Sequence, residues 1–239
     1  MKRQVGVGRT HVRLGILLLT LAVMAITAAV ALAANVTGDG TLVGSPGNDN
    51  IAAGNGPDTI WGLGGSDNIT AGTGSDVIDG GGTCVGTLAP GDYPHGLPGA
   101  NYCQHGPNND PGTDNIVALT GSDTVYGNSG RNNIVLGSGK DTVFAFGGPN
   151  SVVVGNGTDT INAYGTGTYA TGTGKDTVNA QFSRNDIITC GSSHTTVFAV
   201  KNAGDIIAPP CTVKFVAPQP VPGSARAATA RKLAAKRAA

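Results

Sequence analysis

Residues 47–82 read GNDNIAAGN GPDTIWGLG GSDNITAGT GSDVIDGGG. Written in blocks of nine, the stretch puts Asp49, Asp58, Asp67 and Asp76 in one column. Two places before each Asp stands a glycine (Gly47, Gly56, Gly65, Gly74), and two places after stands an isoleucine (Ile51, Ile60, Ile69, Ile78). Glycine allows the positive-φ backbone of a tight turn. A β-branched residue between mostly polar neighbours makes a three-residue strand that sends one side chain inward. Six residues of turn and three of strand give half a coil, so 18 residues close one coil with two short parallel strands on opposite sides.

The period returns further on. Asp114, Asp123, Asn132, Asp141, Asn150 and Asp159 keep the spacing of nine. One residue is then missing, and Asp176 and Asn185 resume the phase. The inward aliphatic column reads Ile116, Val125, Ile134, Val143, Val152, Ile161, Val178 and Ile187. Gly or Ala commonly follows on the same side (Ala53, Gly62, Ala71, Ala118, Gly127, Ala145, Ala163, Ala180). The column is therefore expected to be too thin for bulky residues, in line with 5% aromatic content and 39 glycines. There is no Glu in the chain, which argues against a helix bundle or coiled coil.

The tandem pattern resembles the repeats-in-toxin (hemolysin-type) family, G-G-x-G-x-D-x-U-x with U aliphatic. The resemblance covers residues 44–82 and 112 to about 191, roughly half the chain. It implies an all-β fold, a right-handed parallel β-roll (a solenoid of nine-residue repeats), with Ca2+ between successive turns. The first Gly of the family's pair is replaced at Ala53-Gly54, Ala71-Gly72 and Leu136-Gly137, which implies weaker or missing calcium sites at those turns.

With two repeats per coil, turns on one edge lie 18 residues apart, and carboxylates should pair at that spacing. Calcium takes six to eight hard oxygen ligands. The candidate ligands are Asp49 with Asp67 and Asp58 with Asp76 in the first array, and Asp123, Asp141, Asp159 and Asp176 along one edge of the second. The other edge of the second array carries Asp114, then Asn132 and Asn150, and no acid near position 168. The expectation is an asymmetric roll, with a calcium ladder on one edge and an Asn stack on the other. The alternative for any single Asp is turn capping through an Asx hydrogen bond. Carboxylates stacked about 4.8 Å apart without a counter-ion would repel each other, which favours calcium.

The flanks set the context. Residues 1–33 read as an export signal: Lys2, Arg3, Arg9 and Arg13 precede an uncharged run from Leu14 to Val30 and an Ala31-Leu32-Ala33 site. The small-residue site favours cleavage before Ala34 over retention as an anchor. The body then divides into a first array (34–82), a Pro/Gly-rich insert (83–111), a second array (112–191), a C-terminal cap (192–216) and a basic tail (217–239). Without the four basic residues of the leader and the five of the tail, six remain against 15 Asp. An acidic body suits cations and excludes nucleic acid; the basic tail suits an anionic surface, or is simply solvated.

Four Cys in an exported chain suggest two disulfides. Sequence proximity favours Cys84–Cys103, closing the insert as a loop, and Cys190–Cys211, stapling the cap. A zinc site from Cys84, His95, Cys103 and His105 fits no common spacing. Neither H-E-x-x-H nor G-x-S-x-G occurs, so no enzyme is expected. The expected role is a secreted calcium-binding structural or interaction protein whose roll folds on calcium after export. The alternative is a calcium-dependent adhesin, with Val117, Val135 and Val153 on one sheet, or Tyr126 and Phe144 on the other, meeting a cell-surface or protein partner. Ice binding through Thr124, Thr142, Thr160 and Thr177 is disfavoured by their bulky neighbours.

Overall fold

A computed structural model describes residues 33–81 and 112–219. Among them every regular element is a strand. The strands alternate between two parallel sheets. The odd-numbered strands form the first sheet: β1 (Asn35–Gly38), β3 (Asn50–Ala53), β5 (Asn68–Thr73), β7 (Thr113–Gly121), β9 (Arg131–Gly139), β11 (Asn150–Val153), β13 (Gly167–Thr171), β15 (Ile187–Cys190) and β17 (Ile206–Ile207). The even-numbered ones form the second: β2 (Thr41–Val43), β4 (Thr59–Trp61), β6 (Val77–Asp79), β8 (Thr124–Tyr126), β10 (Thr142–Ala145), β12 (Thr160–Ala163), β14 (Thr177–Asn179), β16 (Thr196–Val200) and β18 (Thr212–Val216). Each strand pairs with the next of its own sheet, one coil away, so the chain is a parallel β-roll.

The nonapeptide explains the core. Ile51, Ile69, Ile116, Ile134 and Val152 stand in register on the first sheet, and Ile60, Ile78, Val125, Val143 and Ile161 on the second. All are buried, with Ala71, Ala118, Ala145, Ala163 and Ala180 beside them. Each buried Ile contributes roughly 2–3 kcal/mol. The backbones of successive coils come too close for a side chain at the turns. A Cβ at Gly121, whose φ is +147°, would lie 1.2 Å from the carbonyl oxygen of Gly74.

The two arrays form one stack. Strand β5 pairs with β7 and β6 with β8, in the same column-to-column register used within each array. Paired positions across this junction are 47 residues apart instead of 18. The surplus equals the length of the interruption read at 83–111, which lies outside the described residues, as do the proposed Cys84–Cys103 pair and residues 1–32 of the leader.

Three sequence expectations need correction. The phase after Asp176 is one residue later than Asn185 and Ile187 imply. Asp186 takes the column position, Ile188 is the buried residue, and Ile187 is 46% exposed. The extra residue is taken up in the turn, where Asn185 adopts φ 57°. Second, a bulky residue does enter the thin core. Tyr169 is fully buried, in register between Val152 and Ile188. It fits because Gly167 replaces the column Asp; a Cβ there would stand 2.9 Å from the Tyr169 hydroxyl oxygen. Third, residues 192–216 do not cover the end of the roll. They extend it through β16, β17 and β18, and the last strands keep Ile206 and Phe215 about two-thirds exposed, at 64% and 65%. The Cys190–Cys211 disulfide is present and ties β15 to the segment entering β18.

Candidate metal centre

The turns that enter the first sheet make one edge of the roll and those that enter the second sheet make the other. On the first edge stand Asp49, Asp67, Asp114, Asn132, Asn150, Gly167, Asp186 and Asp205. On the second stand Asp58, Asp76, Asp123, Asp141, Asp159 and Asp176, followed by Thr195. All nine aspartates singled out in the sequence therefore lie on these two edges, and all are buried.

One hydrogen bond builds both ladders. Between most consecutive column residues the backbone N–H donates to Oδ1 of the residue one coil later; Asn150, which faces Gly167, donates to the Thr166 carbonyl instead. On the second edge Asp58 donates to Asp76 (2.9 Å), Asp76 to Asp123 (2.9 Å), Asp123 to Asp141 (3.0 Å), Asp141 to Asp159 (2.9 Å) and Asp159 to Asp176 (3.1 Å). The ladder crosses the insert without a break. It ends where the Thr195 hydroxyl donates to Asp176 Oδ2. On the first edge Asp49 donates to Asp67 (2.9 Å) and Asp67 to Asp114 (3.0 Å).

The two edges differ in part in the other carboxylate oxygen. On the first edge Asp49 Oδ2 accepts the Ser45 N–H and Asp114 Oδ2 accepts from Asn128 Nδ2 at 2.8 Å, while Asp205 Oδ2 is buried without a hydrogen-bond partner. The column then turns to amides. Asn132 donates from both its backbone N–H and Nδ2 to Asn150 Oδ1, and each amide also donates to the Phe146 carbonyl. This is the expected Asn stack. On the second edge Asp58, Asp76, Asp141 and Asp159 each leave Oδ2 buried with no hydrogen-bond partner. A buried acceptor without a partner costs about 1–3 kcal/mol, and more when charged.

The electrostatics follow from this geometry. Burial holds Asp76, Asp123 and Asp141 above the ordinary carboxylate range, with neighbouring aspartates adding to it at Asp76 and Asp123. Asp159 is pushed up to about 6, mainly by burial and further by the charges of Asp141 and Asp176. Asp186 is likewise pushed up to about 6 by burial, with Asp205 adding a smaller part.

The atoms around the second edge suit a hard cation. At Gly74 the space that a Cβ would fill is bounded by the Gly56 carbonyl oxygen at 2.1 Å and Asp76 Oδ1 at 3.1 Å. Gly139 repeats this with Gly121 O at 1.4 Å and Asp141 Oδ1 at 3.3 Å. The donors there are carboxylate and carbonyl oxygens, the set that calcium takes. Among the described residues no three acidic, His or Cys side chains converge on one point, so carbonyls must supply much of any coordination shell.

Several features escaped the sequence reading. Asp186 and Asp205 continue the first-edge ladder, with Asp186 N–H donating to Asp205 Oδ1 at 3.0 Å, but off-period spacing hid them. An outer row of Asn35, Asn50, Asn68, Asn115 and Asn133 links side chain to side chain on the first sheet. At Asn50, Asn68 and Asn115 its signal was legible as Asn directly after the column Asp. Val135 and Val153 are exposed on the same sheet, at 47% and 43%. Tyr126 and Phe144 on the second sheet are half-buried and stacked on each other at 4.7 Å.

A family model described as RTX calcium-binding nonapeptide repeat (4 copies) matches residues 36–69, 43–78 and 109–143. No curated protein and no solved structure matches the chain. The chain is thus similar to the RTX calcium-binding nonapeptide repeat in two blocks, 36–78 and 109–143, whose described residues the fold stacks in one register.

Proposed function

We propose that this is an exported calcium-dependent structural and interaction protein, and that Asp58, Asp76, Asp123, Asp141, Asp159 and Asp176 are its main calcium ligands. The observation that carries the reading is the row of buried second-edge Oδ2 atoms without partners at Asp58, Asp76, Asp141 and Asp159. A stack of ionised carboxylates excluded from water is unfavourable until something neutralises it. A bound calcium would supply the positive charge that these oxygens lack. The chain's own part is to hold Oδ1 in the ladder and leave Oδ2 aimed for a ligand. Asp49 and Asp114 on the first edge have both carboxylate oxygens used by donors, so with Asp67 between them they form the weaker set.

Export is supported by the leader read at residues 1–33 and by the Cys190–Cys211 disulfide, which suits an oxidising compartment. In a calcium-poor cell the acidic, Gly-rich chain stays unfolded, and it folds when it meets calcium outside. Each site held at 100-fold saturation adds about 2.7 kcal/mol to the folded state. The reading assigns no catalytic role. A partner at a cell surface is the second reading, favoured by the exposed Leu119, Val135 and Val153 on the first sheet. The test is a metal count on the mature chain dialysed against millimolar calcium. Several ions per chain are expected, and fewer in Asp141→Asn; a count below one ion per chain overturns the proposal.

A further inference from the structure

Apolar side chains collect on one outer face of the roll. Among the described residues seven large apolar side chains are exposed, and five of them, Leu119, Val135, Val153, Ile187 and Ile206, stand on the first sheet. The second sheet differs, for its outward Tyr126 and Phe144 are half-buried and stacked on each other. The first sheet is also almost without charge. In its nine strands the charged residues are Arg131 and Asp114, and Asp114 is buried. Its shape has a knob and a strip. Leu119, 52% exposed, stands in a row whose other members in register are glycines: Gly72 one coil before, and Gly137, Gly155 and Gly172 in the coils after. Glycine is required there, since a Cβ at Gly137 would lie 1.5 Å from the Leu119 carbonyl oxygen. The row is a strip without side chains, broken by one leucine.

We infer that this face binds a second copy of the chain, first sheet against first sheet, with Leu119 of each copy lying in the glycine strip of the other. Charge selects the occupant. The chain has 15 Asp, and two acidic copies repel wherever their carboxylates meet, so a face that exposes none is where they approach at least cost. Size agrees. The sheet is nine strands wide. At about 4.8 Å per strand and about 3.3 Å per residue, a band about four residues across covers roughly 500 Å² per copy, and two bury about 1,000 Å², the size at which a specific interface becomes stable. A contact of a face with its own copy closes as a two-fold dimer. The end of the roll suits a copy less well. Val213 and Phe215, the other two exposed side chains, lie on the last strand with Lys214 between them, and a lysine on an edge strand opposes pairing with a further strand.

This deepens the reading of the face as an interaction surface and rests on it, with a second copy as occupant in place of a cell surface. The test is sedimentation velocity of the mature full-length chain in millimolar calcium, from the micromolar to the hundred-micromolar range, with dichroism as the check on folding. Wild type is expected to pass from monomer to dimer and stop there. Val135→Asp should weaken dimerisation about 100-fold or more, because it brings a carboxylate from each copy into an apolar contact. Val135→Thr, uncharged and of the same shape, should keep the dimer. Should Val135→Asp fold poorly, Leu119→Ser, which lies outside the core, is read in the same way. Wild type that stays monomeric at the highest concentration overturns the inference and leaves the face to a different partner. Dimers that persist in folded Val135→Asp or Leu119→Ser overturn it, because association then uses another surface. Growth beyond the dimer, the mark of end-to-end contact, overturns it as well. The calcium reading stands apart. A chain that dimerises alike in calcium and in EGTA keeps this inference and loses the calcium sites, whereas a chain that calcium folds but that stays monomeric does the reverse.

Discussion

At the scale of the residue, the difference between Asp and Asn decides what an edge does. Both offer Oδ1 to the N–H of the preceding coil, so both build the ladder. Only Asn can then donate to a carbonyl such as Phe146 O; only Asp leaves a charged oxygen for a cation. Asn132→Asp is therefore expected to destabilise the fold at limiting calcium by about 1–3 kcal/mol, since a buried charge replaces a satisfied amide. Excess calcium should reverse part of that loss, and thermal melts at limiting and at millimolar calcium measure both. Protons compete for the same oxygens. The Asp159 carboxyl, raised to about 6 in the fold, has an ordinary value of about 4 when unfolded. Its protonated form is favoured by the fold, so that contribution is full below about pH 4 and is lost as pH rises through about 6. The metal-free chain is expected to regain part of its β signal at about pH 5 relative to pH 7, while calcium affinity falls over the same interval because binding must release protons. Dichroism in EGTA and calcium titrations at both pH values check the two opposite slopes.

At the scale of the element, the nine-residue period is a statement about a strand and a turn. Most of it was legible. Gly-x-Asp-x-Ile specified a turn, a ladder residue and an inward side chain, and the pairing of Ile51 with Ile69 or Val143 with Ile161 follows from it. The Asn132–Asn150 stack was legible for the same reason. The legibility failed where turns change length. Residue for residue, Asp186 and Ile188 look no better than Asn185 and Ile187 until the pairing with Thr168 and Tyr169 fixes the register. The junction at the insert is the sharpest case: the register continues across it, although sequence spacing cannot show that two arrays share one stack. Deleting residues 83–111 should restore the 18-residue spacing between Asp76 and Asp123 and leave the roll intact. Circular dichroism and a calcium count on the deletion variant test this. Retention of the β signal and of the second-edge ions is expected; collapse to a disordered chain would mean the insert is needed for folding.

At the scale of the whole molecule, the roll is a thin apolar column held between two rows of buried aspartates. Its core is one aliphatic residue and one mostly small residue wide on each sheet, so the hydrophobic contribution per coil is small. A large share of the stabilisation must come from the edges, where charge is buried without a protein partner. That makes the fold conditional on what the solution supplies. The most direct measurement is the far-ultraviolet dichroism and melting temperature of the mature chain in millimolar calcium and in excess EGTA. The account predicts a β spectrum with a cooperative melt in calcium, and loss of both on chelation, reversible when calcium is restored. A chain whose spectrum and melting temperature are the same in calcium and in EGTA would contradict it.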